Sequence, residues 1–262
     1  MRLSAKWLTA AFETFPMNNK ELFSHKSDDY SKFRPSYPAA AVDWLRQNVA
    51  GDRVLDIGAG TGIFTKVLLH RFQNVCAVEP NAGMREKFFL NLPEIPCSDG
   101  SGEETEMPDH SVDLITVAQA FHWLDEDRFK REAQRILSPG GTVAIIWNTS
   151  LNNEFTSARD EVSRKYCPRF RNGHAGKRSV AEGDLFLQNE YFREVKAVSF
   201  PNPFEMDLSV FEGNMRSRSY TPAADQPEYA DFMKELRRVF EQYAENNVVV
   251  EPIETTVYLG RF

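Results

Sequence analysis

The stretch Val54-Leu55-Asp56-Ile57-Gly58-Ala59-Gly60-Thr61-Gly62-Ile63-Phe64 constrains this chain more than any other. An apolar, β-branched run ends in an acid, three alternating glycines follow, and a helix-compatible segment continues to His70. A strand, a tight loop and a helix start in that order are the anatomy of a nucleotide-binding βα turn. Glycine suits the loop because the backbone must accept positive φ and let a ligand approach with no Cβ in the way.

The spacing narrows the ligand. A dinucleotide fingerprint places its third glycine one position later, where this chain has Ile63. Asp56 stands two residues before the first glycine, where it would repel a pyrophosphate at the helix N-terminus. S-adenosylmethionine brings an amino-acid moiety and a sulfonium cation instead, which an acid favours. A second acid, Glu79, ends the apolar run Asn74-Val75-Cys76-Ala77-Val78 at about the 20-residue offset expected of a ribose-reading carboxylate.

Further text carries a resemblance. Val54–Gly62, then Val78-Glu79-Pro80-Asn81-Ala82-Gly83-Met84, Met107-Pro108-Asp109-His110-Ser111-Val112-Asp113 and Leu137-Ser138-Pro139-Gly140-Gly141 together resemble a class I S-adenosylmethionine-dependent methyltransferase. Tyr30-Ser31-Lys32-Phe33-Arg34-Pro35-Ser36-Tyr37-Pro38 and Gln119-Ala120-Phe121-His122-Trp123 resemble a narrower group that includes trans-aconitate methyltransferase-like proteins. The resemblance covers residues 25–150 well and the remainder loosely.

It implies an α/β fold: a Rossmann-like, doubly wound, mostly parallel seven-stranded sheet with an antiparallel edge strand and a helical lid insertion. It implies S-adenosyl-L-methionine as cofactor, bound by Asp56 and the bend Gly58, Ala59, Gly60, Thr61 and Gly62. Glu79 and Pro80 would meet the ribose side, and Met84 the adenine face. After the third strand an acid followed by a small residue meets adenine in the wider family. Here Asp99 or Ser101 competes for the acid's place, with Gly102 and Glu103 beside it. Ala118, Gln119 and Phe121 would complete the site at the end of the fourth strand, and Tyr30 and Arg34 would hold the cofactor carboxylate from the N-terminal side.

Composition limits the partners. A net charge of −7 argues against a nucleic-acid face, which needs clustered cations. The acids Glu103, Glu104, Glu106 and Asp109 read as a solvated face, so no metal is expected. Three cysteines without metal spacing, of which Cys76 and Cys97 fall in apolar runs as buried thiols, suit a reducing cytoplasm. No apolar stretch is long enough for a membrane span, and residues 1–20 read as a peripheral helix or loose arm.

Along the chain, strands are expected at 53–57, 74–79, 94–99, 112–117, 142–147, 195–200 and 255–262. Helices are expected at 39–49, 62–71, 82–91 (capped by Asn81), from Asp125 to a stop at Ser138–Gly141, and at 154–166, 181–190 and 225–244. The stretch 159–178, rich in arginine and lysine from Arg159 to Arg178, reads as a solvated loop. The implied organisation is an N-terminal arm or lid over 1–38, a cofactor-binding core over 39–200, a helical lid and acceptor insertion over 201–250, and a final core strand over 251–262.

A carboxylate acceptor needs no base, whereas a phenol or hydroxyl does. His122 reaches the expected site from a core strand, and histidine suits base work near neutrality. Its ring can equally wall the cofactor. The expected activity is methyl transfer to a small-molecule oxygen, with no nucleic-acid or membrane partner. The alternatives are a non-catalytic S-adenosylmethionine-binding protein and a methyltransferase acting on RNA or protein. An Ala118-Gln119-Ala120-Phe121 tetrapeptide, in place of the Asn-Pro-Pro-Tyr type of amino-group methylating enzymes, weighs against an amine acceptor.

Overall fold

The computed structural model describes residues 32–168, 170 and 180–262. Helix α1 (Ala39–Asn48) turns Ala41, Val42 and Leu45 inward and leads to β1 (Arg53–Ile57). Then come α2 (Ile63–Leu68), β2 (Asn74–Val78), α3 (Ala82–Asn91) and β3 (Cys97–Ser98). Strand β4 (Val112–Ala118), a short 3₁₀ turn (Phe121–Trp123), α4 (Glu126–Ile136) and β5 (Leu137–Ser150) follow. The remainder holds α5 (Glu154–Tyr166), α6 (Val180–Phe186), a π-helical turn (Leu187–Tyr191), β6 (Glu194–Pro201), β7 (Phe204–Met206), α7 (Leu208–Arg216), α8 (Glu228–Tyr243), β8 (Val249–Glu251) and β9 (Ile253–Arg261).

Seven strands form one sheet in the order β3-β2-β1-β4-β5-β9-β6, and β7 and β8 form a separate ribbon. Strand β1 pairs in parallel with β2 on one side and β4 on the other. Adjacent residues of these strands serve opposite faces, which is why the runs are apolar throughout. Leu55, Ile115 and Ile145 pack with Phe129 and Ile136 of α4 on one face. Val54, Leu114 and Ile146 pack with Leu45 of α1 and with Phe64 and Leu68 of α2 on the other.

Four expectations need adjustment. Strand β9 is the antiparallel one, but it lies one in from the edge, between β5 and β6. Its Val257, Tyr258 and Leu259 are all buried, whereas β6 has no fully buried residue and can take the outer place. Strand β5 begins at Leu137 because Leu137 already pairs with Val112, across an irregularity in the register, so Ser138–Gly141 continues the strand. Strand β3 shrinks to Cys97–Ser98, and Cys76 and Cys97 are half-buried where full burial is expected; Cys167 is the buried thiol.

A third apolar cluster joins α5, α7, α8 and the β7–β8 ribbon through Phe155, Phe211, Met215, Phe232 and Val249. Beneath it Arg159 departs from the solvated loop expected of its stretch. It is 5% exposed, and its Nη1 donates to Glu251 Oε1 at 2.6 Å. Arg218 approaches the other Glu251 oxygen at 3.7 Å, and these two guanidinium charges hold the buried Glu251 carboxyl down to about 2. Arg169, Arg171, Lys177 and Arg178 lie outside the described residues. Among the described residues no helix is long and apolar enough to cross a membrane.

Candidate functional site

The site forms where β1, β2 and β4 end together. After Ile57 the chain bends through Gly58, Gly60 and Gly62, with φ of 66°, 58° and 86°. These are left-handed values that other residues adopt only under strain. The amides of Gly58 and Ala59 both donate to the Val78 carbonyl, at 2.8 and 3.2 Å, which pins the bend to the end of β2. A methyl group on Gly58 would stand 2.6 Å from the Ala120 Cβ, so the bend also touches the chain leaving β4. A methyl on Gly60 would meet nothing within 4 Å. The bend therefore faces open space at its apex, with room for a ligand against its backbone.

Glu79 closes this arrangement. Its Oε2 accepts from the Gly60 amide and its Oε1 from the Asn81 amide, both at 2.8 Å, so one carboxylate ties the bend to the start of α3. It is 7% exposed, and burial pushes its carboxyl above the ordinary value against the pull of those two amides. Each oxygen keeps a second lone pair for a ligand hydroxyl. Asn81 caps α3 by accepting from the Met84 amide at 2.9 Å, and Met84 is buried beside it. Thr61 is buried and its carbonyl accepts from Asn91 Nδ2 at 2.8 Å. Pro80 is half-buried between Glu79 and Asn81.

Asp56 faces inward. Its two oxygens accept from Thr65 Oγ1 of α2 at 2.6 Å and Thr116 Oγ1 of β4 at 2.8 Å. Only 1% of it is exposed, and burial, with a contribution from the Glu79 charge, pushes its carboxyl up to about 6 despite the two hydroxyls. The acid that precedes the glycines is thus a buried junction between β1, β4 and α2.

Beyond β3, Ser101 and Glu104 exchange backbone hydrogen bonds in a turn, and a methyl on Gly102 would crowd Leu124 and Ile57. Glu103 Oε1 accepts from the amide of Asp125, the residue that caps α4. The Asp99 side chain is 76% exposed. At the end of β4, Ala118 gives way to Gln119, a non-glycine residue at φ 56° whose amide donates to Ile146 and whose Nε2 donates to the Asn148 carbonyl at 2.8 Å. Backbone of this kind persists where surrounding contacts over-determine it, often at functional sites. The His122 ring stacks against Trp147 at 5.5 Å and leans on Trp123 at 4.6 Å. Phe121 turns into the core, against Phe129 and Tyr191.

On the N-terminal side, Arg34 Nη2 donates to the Ser217 carbonyl at 3.2 Å, linking that segment to α7. Tyr30 lies outside the described residues. Sequence reasoning missed Asn202, whose Nδ2 donates to the Ser36 carbonyl at 2.8 Å. Its signal was an asparagine set between Pro201 and Pro203, a turn beside the sheet edge. Among the described residues no cluster of three or more His, Cys, Asp or Glu side chains could hold a metal ion.

Comparison with known proteins bears on this constellation. Residues 55–145 match the family model described as a methyltransferase domain, and residues 4–93 match that of protein-L-isoaspartate(D-aspartate) O-methyltransferase. An uncharacterized methyltransferase of Mycobacterium bovis is 45% identical over 120 residues, 46% of this chain and 49% of that one. One of Oceanobacillus iheyensis is 31% identical over 157 residues, covering 59% of this chain and 67% of its own. The structure of a candidate type II methyltransferase from Anaeromyxobacter dehalogenans superposes with a TM-score of 0.64 at 25% identity, over 87% of this chain and 98% of that one. The chain spans about half the length of the first curated relatives it matches. The matched segment runs from Leu55 to Ile145, and so takes in the glycine bend, Glu79 and the end of β4. The chain belongs to the class I S-adenosylmethionine-dependent methyltransferases.

Proposed function

We propose that this protein moves the methyl group of S-adenosylmethionine to an oxygen of a small-molecule acceptor. The observation that carries the reading is the Gly60 amide on Glu79 Oε2, with the bend open to space on its other side. A ribose would lie against Glu79 and Pro80, adenine near Met84 and the 101–103 turn, and the amino-acid tail against Gly58–Gly62. Ala118 and Gln119 would line the β4 side, and Arg34 the N-terminal side. Asp56 contributes at one remove, by holding the bend through Thr65 and Thr116.

The sulfonium supplies an already activated methyl, so the chain need mainly align the acceptor and exclude water. The insertion over 201–250, joined to α5 by its own apolar cluster, is suited to cover the acceptor, and residues up to 38 to form an arm beside it. His122, stacked on Trp147, walls the site for a carboxylate acceptor or takes a proton at a ring nitrogen from a hydroxyl one. The negative net charge favours a small acceptor over nucleic acid, and the match to an O-methyltransferase model favours oxygen. Free thiols at Cys76, Cys97 and Cys167 suit a cytoplasmic setting.

Calorimetry with S-adenosylmethionine tests the cofactor half. A mass-spectrometric screen of carboxylic acids and phenols for methylated product tests the acceptor half. Tight cofactor binding with no product across both acceptor classes would refute the small-molecule oxygen reading.

A further inference from the structure

The segment Phe33–Ser36 lies between the insertion and the carboxyl edge of the sheet and is gripped from both sides. On the insertion side the Phe33 ring rests on Gly213 of α7, so closely that a methyl at Gly213 would overlap it. Asn214, 1% exposed, donates from Nδ2 to the Phe33 carbonyl at 2.8 Å, while its Oδ1 accepts from Arg218 Nε and Nη2. Arg34 reaches the carbonyl of Ser217, the residue that ends the same helix.

On the sheet side the Ser36 carbonyl accepts two amide donors, Asn148 Nδ2 at 3.1 Å and Asn202 Nδ2 at 2.8 Å. Asn148, near the end of β5, accepts from Thr255 Oγ1 of β9 at 2.5 Å, and its own carbonyl takes Gln119 Nε2. Gln119 is followed by Ala120, which abuts Gly58. A continuous set of contacts therefore runs from α7 through Phe33–Ser36 to Asn148, Gln119 and the cofactor bend.

We infer that Phe33–Ser36 is a strap clipped at both ends, and that Gly213 and Asn148 are positioning residues that set how the insertion sits over the cofactor bend. A mid-helix glycine costs α7 stability relative to alanine, and here the missing side chain is replaced by the Phe33 ring. The inference rests on the cofactor reading proposed above.

The test uses the full chain and three readouts: calorimetric affinity for S-adenosylmethionine, thermal unfolding, and chymotrypsin cleavage of the Phe33–Arg34 bond followed by mass spectrometry. Gly213→Ala should expose that bond to faster cleavage and weaken S-adenosylmethionine about tenfold, as expected for the loss of one or two hydrogen-bonded clips. In a Phe33→Ala background the same Gly213→Ala change should leave affinity where Phe33→Ala alone put it, because no ring remains to displace. Asn148→Ala should weaken the cofactor from the other clip, and it carries the test if Gly213→Ala does not fold.

Wild-type affinity in both Gly213→Ala and Asn148→Ala would overturn the inference, as would an equal effect of Gly213→Ala with and without Phe33. If the wild-type protein does not bind S-adenosylmethionine, the cofactor reading fails by itself. The strap would then be judged on cleavage alone, and equal rates in wild type and both variants would overturn it.

Discussion

Replacing Asp56 by asparagine should make the protein more stable at neutral pH and less able to bind its cofactor. Burial holds the Asp56 carboxyl at about 6, against an ordinary 3.8. Between those two values the folded chain binds a proton that the unfolded chain has released. Stability therefore falls as pH rises through that window and is level above it. At pH 7 the charged Asp56 costs about 3 kcal/mol relative to the unfolded chain. Asparagine is the nearest match to the protonated acid: one threonine hydroxyl still donates to its carbonyl oxygen, and the other accepts from its amide. Urea unfolding of both proteins should show the variant ahead by about 3 kcal/mol at pH 7, with no further growth to pH 8, and by roughly half as much at pH 5. Calorimetry should show weaker S-adenosylmethionine binding, because the buried negative charge that favours the sulfonium is gone while both threonine contacts remain. A variant less stable than wild type at pH 7, or a gap that does not change between pH 5 and 7, would refute the reasoning. Undiminished cofactor affinity would remove any role for the charge.

Gly58→Ala combines a positive φ with a methyl set against Ala120, so it should lose about 1–3 kcal/mol in a thermal melt and weaken the cofactor by calorimetry. Ala120→Gly in the same chain should restore only the part due to the collision. Glu251→Ala leaves the buried Arg159 guanidinium with Asp160 as partner but without Glu251, and should cost about 3 kcal/mol by urea unfolding, the low end for a broken buried pair; a loss under about 1 kcal/mol would mean the pair is not closed in solution. The Glu251 carboxyl is held low, at about 2, so the stability of that pair is complete above its ordinary 4.5 and lost only as pH falls through about 2. If His122 takes a proton from the acceptor, the wild-type rate should carry an acid limb in its pH profile that His122→Ala lacks; identical profiles would leave the ring as a wall.

What could be read from the sequence was what short-range geometry dictates. The offset from Asp56 through the glycines to Glu79 places both acids because Asp56 is the next-to-last residue of β1 and Glu79 directly follows β2, its parallel neighbour. Asn81 and Asp125 cap the helices their positions announce, since a cap is settled within four residues. Phe121 misleads for a related reason: it follows the crest of β4, but the 3₁₀ turn at Phe121–Trp123 swings its ring into the core. Long-range pairings leave no comparable trace. Arg159 and Glu251 are 92 residues apart, and each looks like a surface charge until the fold buries both. Asn148 and Asn202 converge on Ser36 only because β5 and the chain after β6 finish side by side.

The placement of β9 between β5 and β6 also bears on how the chain is made. Strand β6 emerges from the ribosome well before β9, yet among the described residues β9 is its only partner in the sheet. Until Ile253–Arg261 is synthesised, one flank of β5 has no neighbour and β6 has nothing to pair with. The nascent chain thus passes through an interval with an open hydrogen-bonding edge, the form most prone to join other chains. A chaperone that shields β5 during that interval would act on yield while leaving the finished protein unchanged.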